Sequence, residues 1–263
     1  MDLNIAGKTA LVLGGSKGLG LGVATGLAEE GVSVALVARD AATVEAAARD
    51  IHARFGVPAF GLSADLADPS ATATAVDAAN RALGGKIDIL INNTGGPPPS
   101  GAAGLDPELW RQQFQSLVLS VIGVTDQVLP GMRARGWGRV LTIASTVVVE
   151  PNPALALSNA LRSTLVGWSK TLASEVAGDG VTVNILLPGQ IATDRTAFLD
   201  ESTAARLGST ADAVKAAKLK AIPAGRYGTP EEFGKVAAFM ASEAAAYMTG
   251  GMLRIDGGVL RSV

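Results

Sequence analysis

The sequence predicts a doubly wound α/β fold, a parallel seven-stranded sheet with helices on both faces. Three observations carry the prediction. Short apolar runs alternate with longer Ala-rich segments of helical period along the chain. Most of those runs are nearly continuous in Val, Ile, Leu and Ala, as expected of strands covered on both faces. A glycine-rich turn follows the first run directly, where such folds open their first helix.

Taken in order, strands are predicted at residues 9–13, 32–39, 59–63, 87–92, 139–144, 181–186 and 252–255. Helical patterns fill most of the gaps, at about 18–30, 41–55, 69–83, 107–135, 154–176 and 230–241. Strand–helix alternation of this kind gives right-handed crossovers, and ligands then bind beyond the carboxyl ends of the strands. Two stretches break the rhythm. Residues 94–104 (TGGPPPSGAAG) are too rich in Pro and Gly for regular structure, and Pro97-Pro98-Pro99 stiffens one rim of the expected pocket. Residues 191–227 form a long insertion with a weak Ala/Lys helix inside it. Insertions at a ligand edge are often lids, and a merely decorative role is the alternative. No internal repeat or linker divides residues 1–263, so a single domain is expected.

Composition narrows the function. At 263 residues and 48% hydrophobic content, the chain has ample material for one core. Only 17% of residues are charged and the net charge is −2, which gives no footprint for nucleic acid or an anionic membrane. There is no Cys, which excludes disulfides and thiolate chemistry. The single His52 builds neither a metal site nor a His-based triad alone, and its stretch reads as a solvated helix face, so no metal is expected. No apolar run reaches the roughly 18–20 residues of a bilayer span, and no signal peptide is visible. A soluble cytoplasmic protein acting on a small molecule is the expectation.

Gly14-Gly15-Ser16-Lys17-Gly18-Leu19-Gly20 carries the first chemistry. Its glycines let backbone approach a pyrophosphate, and the helix behind supplies free N–H groups and a positive dipole end. A glycine turn is weak evidence alone, and its GxxxGxG spacing differs from GxGxxG. Four features in matching order strengthen it: Asp65 after the third strand, Asn92-Asn93-Thr94-Gly95 at the fourth, Ser145 at the fifth, and Pro188-Gly189 with Thr193 after the sixth.

With these motifs the chain resembles the short-chain dehydrogenase/reductase family over essentially its whole length, closest to its β-ketoacyl-carrier-protein-reductase-like branch. ALVLGGSKGLG is similar to that family's ALVTGxSxGIG, INNTGG to its NNAG turn, GVTVNILLPGQIAT to GIxVNxxxPGxxxT, and MTGGMLRIDGG to xTGxxxxVDGG. The resemblance implies a Rossmann-like dinucleotide fold and cofactor contacts from Gly14, Ser16, Lys17, Gly18, Leu19 and Gly20 in the turn. It implies adenine contacts near Asp65 and Leu66, and ribose and backbone contacts near Asn92, Thr94 and Gly95. Nicotinamide contacts would come from Pro188, Gly189, Ile191 and Thr193. It also implies a homotetramer or dimer, through the two long central helices and the C-terminal strand.

Cofactor choice can be read from charge. An NAD-selective site carries a carboxylate at the end of the second strand. Here Ala38 stands there, followed by Arg39, and Lys17 lies in the turn. Two cations suit the 2′-phosphate of NADP(H). The alternative leaves both cations solvated and gives Asp40 the ribose.

The catalytic set departs from the family. There a Ser polarises the substrate carbonyl, a Tyr thirteen residues later moves the proton, a Lys four residues further lowers the Tyr pKa and binds ribose, and an Asn on the preceding helix completes a relay. Ser145 matches the first role, but Ser158 stands at the Tyr position, Arg162 at the Lys position and Leu117 at the Asn position. An aliphatic hydroxyl is a far weaker acid than a phenol, and Arg stays protonated, so it binds ribose or an anion without shuttling a proton. SNxxR is also similar to the pattern of an atypical subgroup of the family. Three readings stand open at this point: an oxidoreductase with an altered set, a nucleotide-binding sensor or partner subunit without turnover, and non-redox chemistry on the same fold. Arg195 is a candidate for a substrate anion or the cofactor phosphates, and Tyr227 for a replacement acid.

Overall fold

Alternate residues of the central strands enter two different cores, one on each face of the sheet. The structure, a computed structural model, describes residues 2–262. Strands β1 (Thr9–Leu13), β2 (Ser33–Ala38), β3 (Ala59–Ser63), β4 (Ile89–Asn92), β5 (Gly138–Ile143), β6 (Val181–Pro188) and β7 (Met252–Ile255) pair in the order β3-β2-β1-β4-β5-β6-β7. Every pairing is parallel, so all the carboxyl ends lie along one edge.

Val12, Leu36 and Ile91 pack on one face against α1 (Gly18–Glu29), α2 (Ala41–Phe55) and α9 (Pro230–Met240). Leu11, Val37 and Leu90 pack on the other against α3 (Pro69–Ala82), α5 (Ser120–Ala134) and α6 (Ala156–Val176). That double burial is why the strands read as continuous apolar runs. Helices α1 and α9 approach closely because both are small at the contact: a Cβ at Gly22 or Gly26 would come within 2.7 Å of Pro230 or Gly234 backbone carbon. Thr229 and Glu232 close a capping box at the start of α9, and Arg226 grips the same Glu232 (2.8 Å).

The helix expected over 107–135 is interrupted. It comprises α4 (Pro107–Phe114), a π-helical turn at Gln115–Leu119, and α5. The 191–227 insertion holds two helices where one weak helix was expected, α7 (Asp194–Leu207) and α8 (Ala211–Ala221). Thr193 and Thr210 cap their N-termini, and Gly208 ends α7 in the left-handed conformation. Residues 94–104 carry no helix or strand beyond a single bridge from Ser100 to Leu155.

One buried charge lies at the opposite, amino-terminal edge. Arg139 is 2% exposed, at the start of β5. It pairs with Glu243 (3.7 Å), stacks on Trp137 (4.3 Å to the ring centre), and donates to the carbonyls of Gly138, Gly180 and Ser242. No helix among the described residues is long and apolar enough to cross a membrane.

Candidate active site

The carboxyl ends of β1, β4, β5 and β6 gather the sequence-derived candidates on one edge. Gly14 and Gly18 both take φ of +58°, the left-handed region that glycine adopts without strain. The turn packs tightly on itself, since a Cβ at Gly20 would fall inside the Gly14 carbonyl, within 2.7 Å of its carbon. Asn93 Nδ2 donates to Gly14 O (3.2 Å), bracing the turn against the end of β4. Behind the turn, α1 begins at Lys17 with no side-chain cap, so its first amides are free for an anion.

Beyond β2, Arg39 is exposed and forms no ion pair among the described residues. Asp40 caps α2, its Oδ1 accepting from both Thr43 N (2.7 Å) and Thr43 Oγ1. Those two bonds hold its carboxyl below the usual range. Asp65, after β3, is exposed and accepts from Ala67 N, with Leu66 half-buried beside it. Lys17 pairs with Asp194 at the start of α7 (3.5 Å), with both side chains more than 70% exposed. Such a contact is worth about 0–1 kcal/mol and is readily exchanged for a phosphate.

Asn92 departs from expectation. Its amide donates to Thr125 Oγ1 on α5 (3.1 Å), and it is 1% exposed, so the side chain is committed to the β4–α5 contact. Thr94 is buried, whereas a Cβ at Gly95 would meet nothing within 4 Å. Past β6, Gly189 packs on Asp256, Ile191 is buried, and Thr193 caps α7 by accepting from Thr196 N. The methyl of Thr193 lies close to Gly18, which brings the insertion against the glycine turn.

Three candidate catalytic positions converge around β5 and the start of α6. Ser145 follows β5 in extended conformation, and its Oγ accepts from Val147 N (3.3 Å), which leaves its own proton free. Ser158 and Arg162 stand four apart in the first turns of α6, so they share one face. Each is 8% exposed. The Ser158 hydroxyl has no protein partner among the described residues. Arg162 reaches to the sheet, with Nη1 donating to Ile143 O (2.9 Å) and Nη2 to Gly95 O (3.5 Å). Burial, and then the charge of nearby Arg195, push its pKa down to about 10, so it is still a cation at neutral pH. Leu117 sits in the π-helical turn, in an apolar cluster with Val118, Val121, Leu157, Leu161 and Leu165.

Neither tyrosine stands as a free phenol in the cleft. The chain has two tyrosines. Tyr247 is fully exposed, and Tyr227 donates to Asp200 Oδ2 (3.0 Å), which Lys218 also engages. Partial burial and that carboxylate raise the Tyr227 pKa, the wrong direction for a working acid–base. Tyr227 and Asp200 line a cavity of about 270 Å³ between α7 and α8. Arg195 was a candidate only through its nearness to Thr193 in sequence. Its Nη2 donates to Pro97 O across the cleft (2.6 Å).

Known proteins share this fold along nearly the whole chain. A family model described as enoyl-(acyl carrier protein) reductase matches residues 14–260. The 3-oxoacyl-[acyl-carrier-protein] reductase of Escherichia coli K12 is 35% identical over 257 residues, covering 98% of this chain and 99% of that one. Among solved structures, L-sorbose reductase from Gluconobacter frateurii, complexed with NADPH and L-sorbose, superposes with a TM-score of 0.93 at 32% identity, over the full length of both chains. An NADPH-dependent reductase involved in bacilysin biosynthesis superposes at 0.92 and 28% identity, covering 97% of this chain and 99% of its own.

Proposed function

Because the chain belongs to the short-chain dehydrogenase/reductase family, we propose that it is an NADP(H)-dependent reductase of a carbonyl or imine with an altered catalytic set. The observation that carries the cofactor is the unpaired Arg39 beside the free amides at the β1–β2 end. The first turn of α1 is uncapped, Arg39 is unpaired, and Asp40 beside it has its Oδ1 engaged in capping α2. Gly14, Ser16, Lys17, Gly18, Leu19 and Gly20 would hold the diphosphate, and Arg39 with Lys17 the 2′-phosphate. Asp65 and Leu66 would flank the adenine. Backbone from Asn92 through Thr94 and Gly95, with Arg162, would meet the nicotinamide ribose. Pro188, Gly189, Ile191 and Thr193 would meet the nicotinamide ring.

When bound, this cofactor supplies the hydride. The chain's own residues do the rest. Ser145, with its proton free, donates to the heteroatom of the electrophile as charge develops there. Ser158 orients substrate or water, and Arg162 anchors without exchanging a proton. A carbonyl gains the hydride at carbon and a proton from water at oxygen, giving the alcohol. Loss of a phenolic acid removes a factor of roughly 10²–10⁴ and leaves the orientation effects in place. An iminium already carries its charge and is less affected. The SNxxR pattern is thus read as that of an atypical subgroup rather than of a standard carbonyl reductase. The 191–227 insertion acts as a lid on one domain. Exposed Leu119 beside α5, and Met248 and Met252 at the edge strand β7, support a dimer or tetramer through these elements.

The test is nicotinamide absorbance by stopped flow over a panel of carbonyls and imines, with NADPH binding followed by fluorescence. Turnover with NADPH is expected. Binding without any turnover would replace the reductase by a nucleotide-binding sensor, and no binding would end both readings.

A further inference from the structure

Two arginines from opposite walls of the cleft turn toward the same short loop. Arg162 on α6 reaches Gly95 O (3.5 Å), and Arg195 on α7 reaches Pro97 O (2.6 Å), carbonyls two residues apart. Gly96 between them is what admits the contact, because a Cβ there would lie within 2.7 Å of the Arg195 guanidinium. The two charges are close enough for Arg195 to act on Arg162. Neither arginine has a carboxylate partner among the ion pairs of the described residues.

Two neighbouring like charges, one buried and one half-buried, are costly without a counter-ion. Arg162 is 8% exposed and uses two of the five guanidinium donors, while Arg195 uses one. The chain treats a structural arginine differently. Arg139, more deeply buried, has Glu243, an aromatic face and three carbonyls around it, whereas Arg195 has Phe198 (5.4 Å to the ring centre) and a single carbonyl. The unfilled donors of the first pair therefore call for an anion from outside. That anion would sit beside the reacting groups: Ser158 shares the α6 face of Arg162, and Ser145 lies two residues after the Ile143 carbonyl that Arg162 binds. The cofactor diphosphate has its own provision at the uncapped α1 and Lys17. A planar carboxylate matches the forked donors of two guanidinium groups.

We infer that the substrate is an oxo or imino acid, its carboxylate clamped between Arg162 and Arg195 while its C=O or C=N meets Ser145. The position of the reacting double bond rests on the reductase reading above, whereas the anion clamp itself does not.

The experiment is calorimetric titration of the full chain, with and without saturating NADPH. The probes are 2-oxobutanoate, 2-oxo-4-phenylbutanoate and 4-oxopentanoate, each paired with its methyl ester. At least one acid is expected to bind about ten- to a hundredfold more tightly than its ester, as a charge-assisted contact gives. Arg195→Gln should erase that preference, Arg195→Lys should keep part of it, and NADPH affinity should hold in both, with circular dichroism confirming the fold. If Arg195→Gln does not fold, the comparison of acid with ester and the Arg195→Lys variant still decide. Esters binding as well as acids, or no acid binding, would overturn the clamp. So would an Arg195→Gln variant that loses NADPH by the same factor, which would give the pair to the cofactor phosphates. Acids that bind with the preference in a chain that neither binds NADPH nor turns over would leave the clamp standing and remove the reductase.

Discussion

Replacing Arg162 by Met should leave the protein about as stable as before while damaging its binding. Burial holds the Arg162 pKa down at about 10, below the ordinary guanidinium range. At ~1.36 kcal/mol per pH unit, keeping this charge costs the folded state on the order of a few kcal/mol. The sign follows from the lowered value: the penalty is full below about pH 10 and relieved as pH rises above it. Met removes the penalty but leaves Ile143 O without its donor, at about 1–3 kcal/mol. The bond to Gly95 O, at 3.5 Å, adds little. The two effects nearly cancel, so the net change should stay within about 2 kcal/mol of zero. Arg139→Met is the control, because it removes a buried donor from the carbonyls of Gly138 and Ser242 and the cation beside Glu243, and at about 1–3 kcal/mol per lost partner it should be clearly destabilising. Urea unfolding by circular dichroism, at one protein concentration, would compare the variants, and NADPH fluorescence would read affinity. Arg162→Met should keep its midpoint and lose roughly tenfold or more in NADPH affinity, as one charge-assisted contact implies. Arg139→Met should do the reverse. Equal destabilisation by the two variants would make Arg162 a structural residue and refute the reasoning.

Arg39→Ala should weaken NADPH roughly ten- to a hundredfold and leave NADH nearly unchanged, and equal parental affinity for both cofactors by calorimetry would sink the NADP assignment. Ser145→Ala should lower turnover on the order of 10²-fold and Ser158→Ala about tenfold; the opposite ranking in steady-state rates would give Ser158 the proton. Gly20→Ala forces a Cβ into the Gly14 carbonyl. It should cost about 1–3 kcal/mol in urea unfolding and abolish NADPH binding, and a neutral result would mean the turn is not rigid. Glu232 is held at about 2, chiefly by its hydrogen bonds from Arg226 and Thr229. Its contribution should be intact above the ordinary 4.5 and lost as pH falls toward 2. Glu232→Gln should therefore flatten the acid limb of a melting-temperature profile, and a limb of unchanged slope would exclude it.

Much of the fold was legible because its signals are local. Strands β1, β3 and β7 and helix α2 have the bounds that apolar runs and turn residues indicate. The π-helical turn at Gln115–Leu119 was not, since a run such as QSLVLSV is apolar in either hydrogen-bond pattern. The second helix of the insertion had readable marks in Thr193, Gly208 and Thr210, and a weak periodicity obscured them. In the site, the shared face of Ser158 and Arg162 follows from a spacing of four. The Asp40 cap was readable too, as an acid three residues before Thr43 at the head of an Ala-rich run. The commitments that decide the chemistry are long-range, and no local pattern carries them. Asn92 turns to Thr125, Lys17 meets Asp194, and Arg195 crosses to Pro97.

The apolar cluster around Leu117 has a consequence for proton supply. Leu157 and Leu161 flank Ser158 along α6, and with Leu117, Val118 and Leu165 they form a hydrocarbon floor. A chain of water molecules needs polar partners at each station, and this floor has none. Those side chains close a relay through themselves, so in the reductase reading bulk solvent supplies the proton through the cleft mouth. Closing the 191–227 insertion would shut that same route. Hydride transfer and protonation would then fall in different phases of the opening cycle. Deuterium oxide should slow the step that follows reopening and leave the transfer itself untouched.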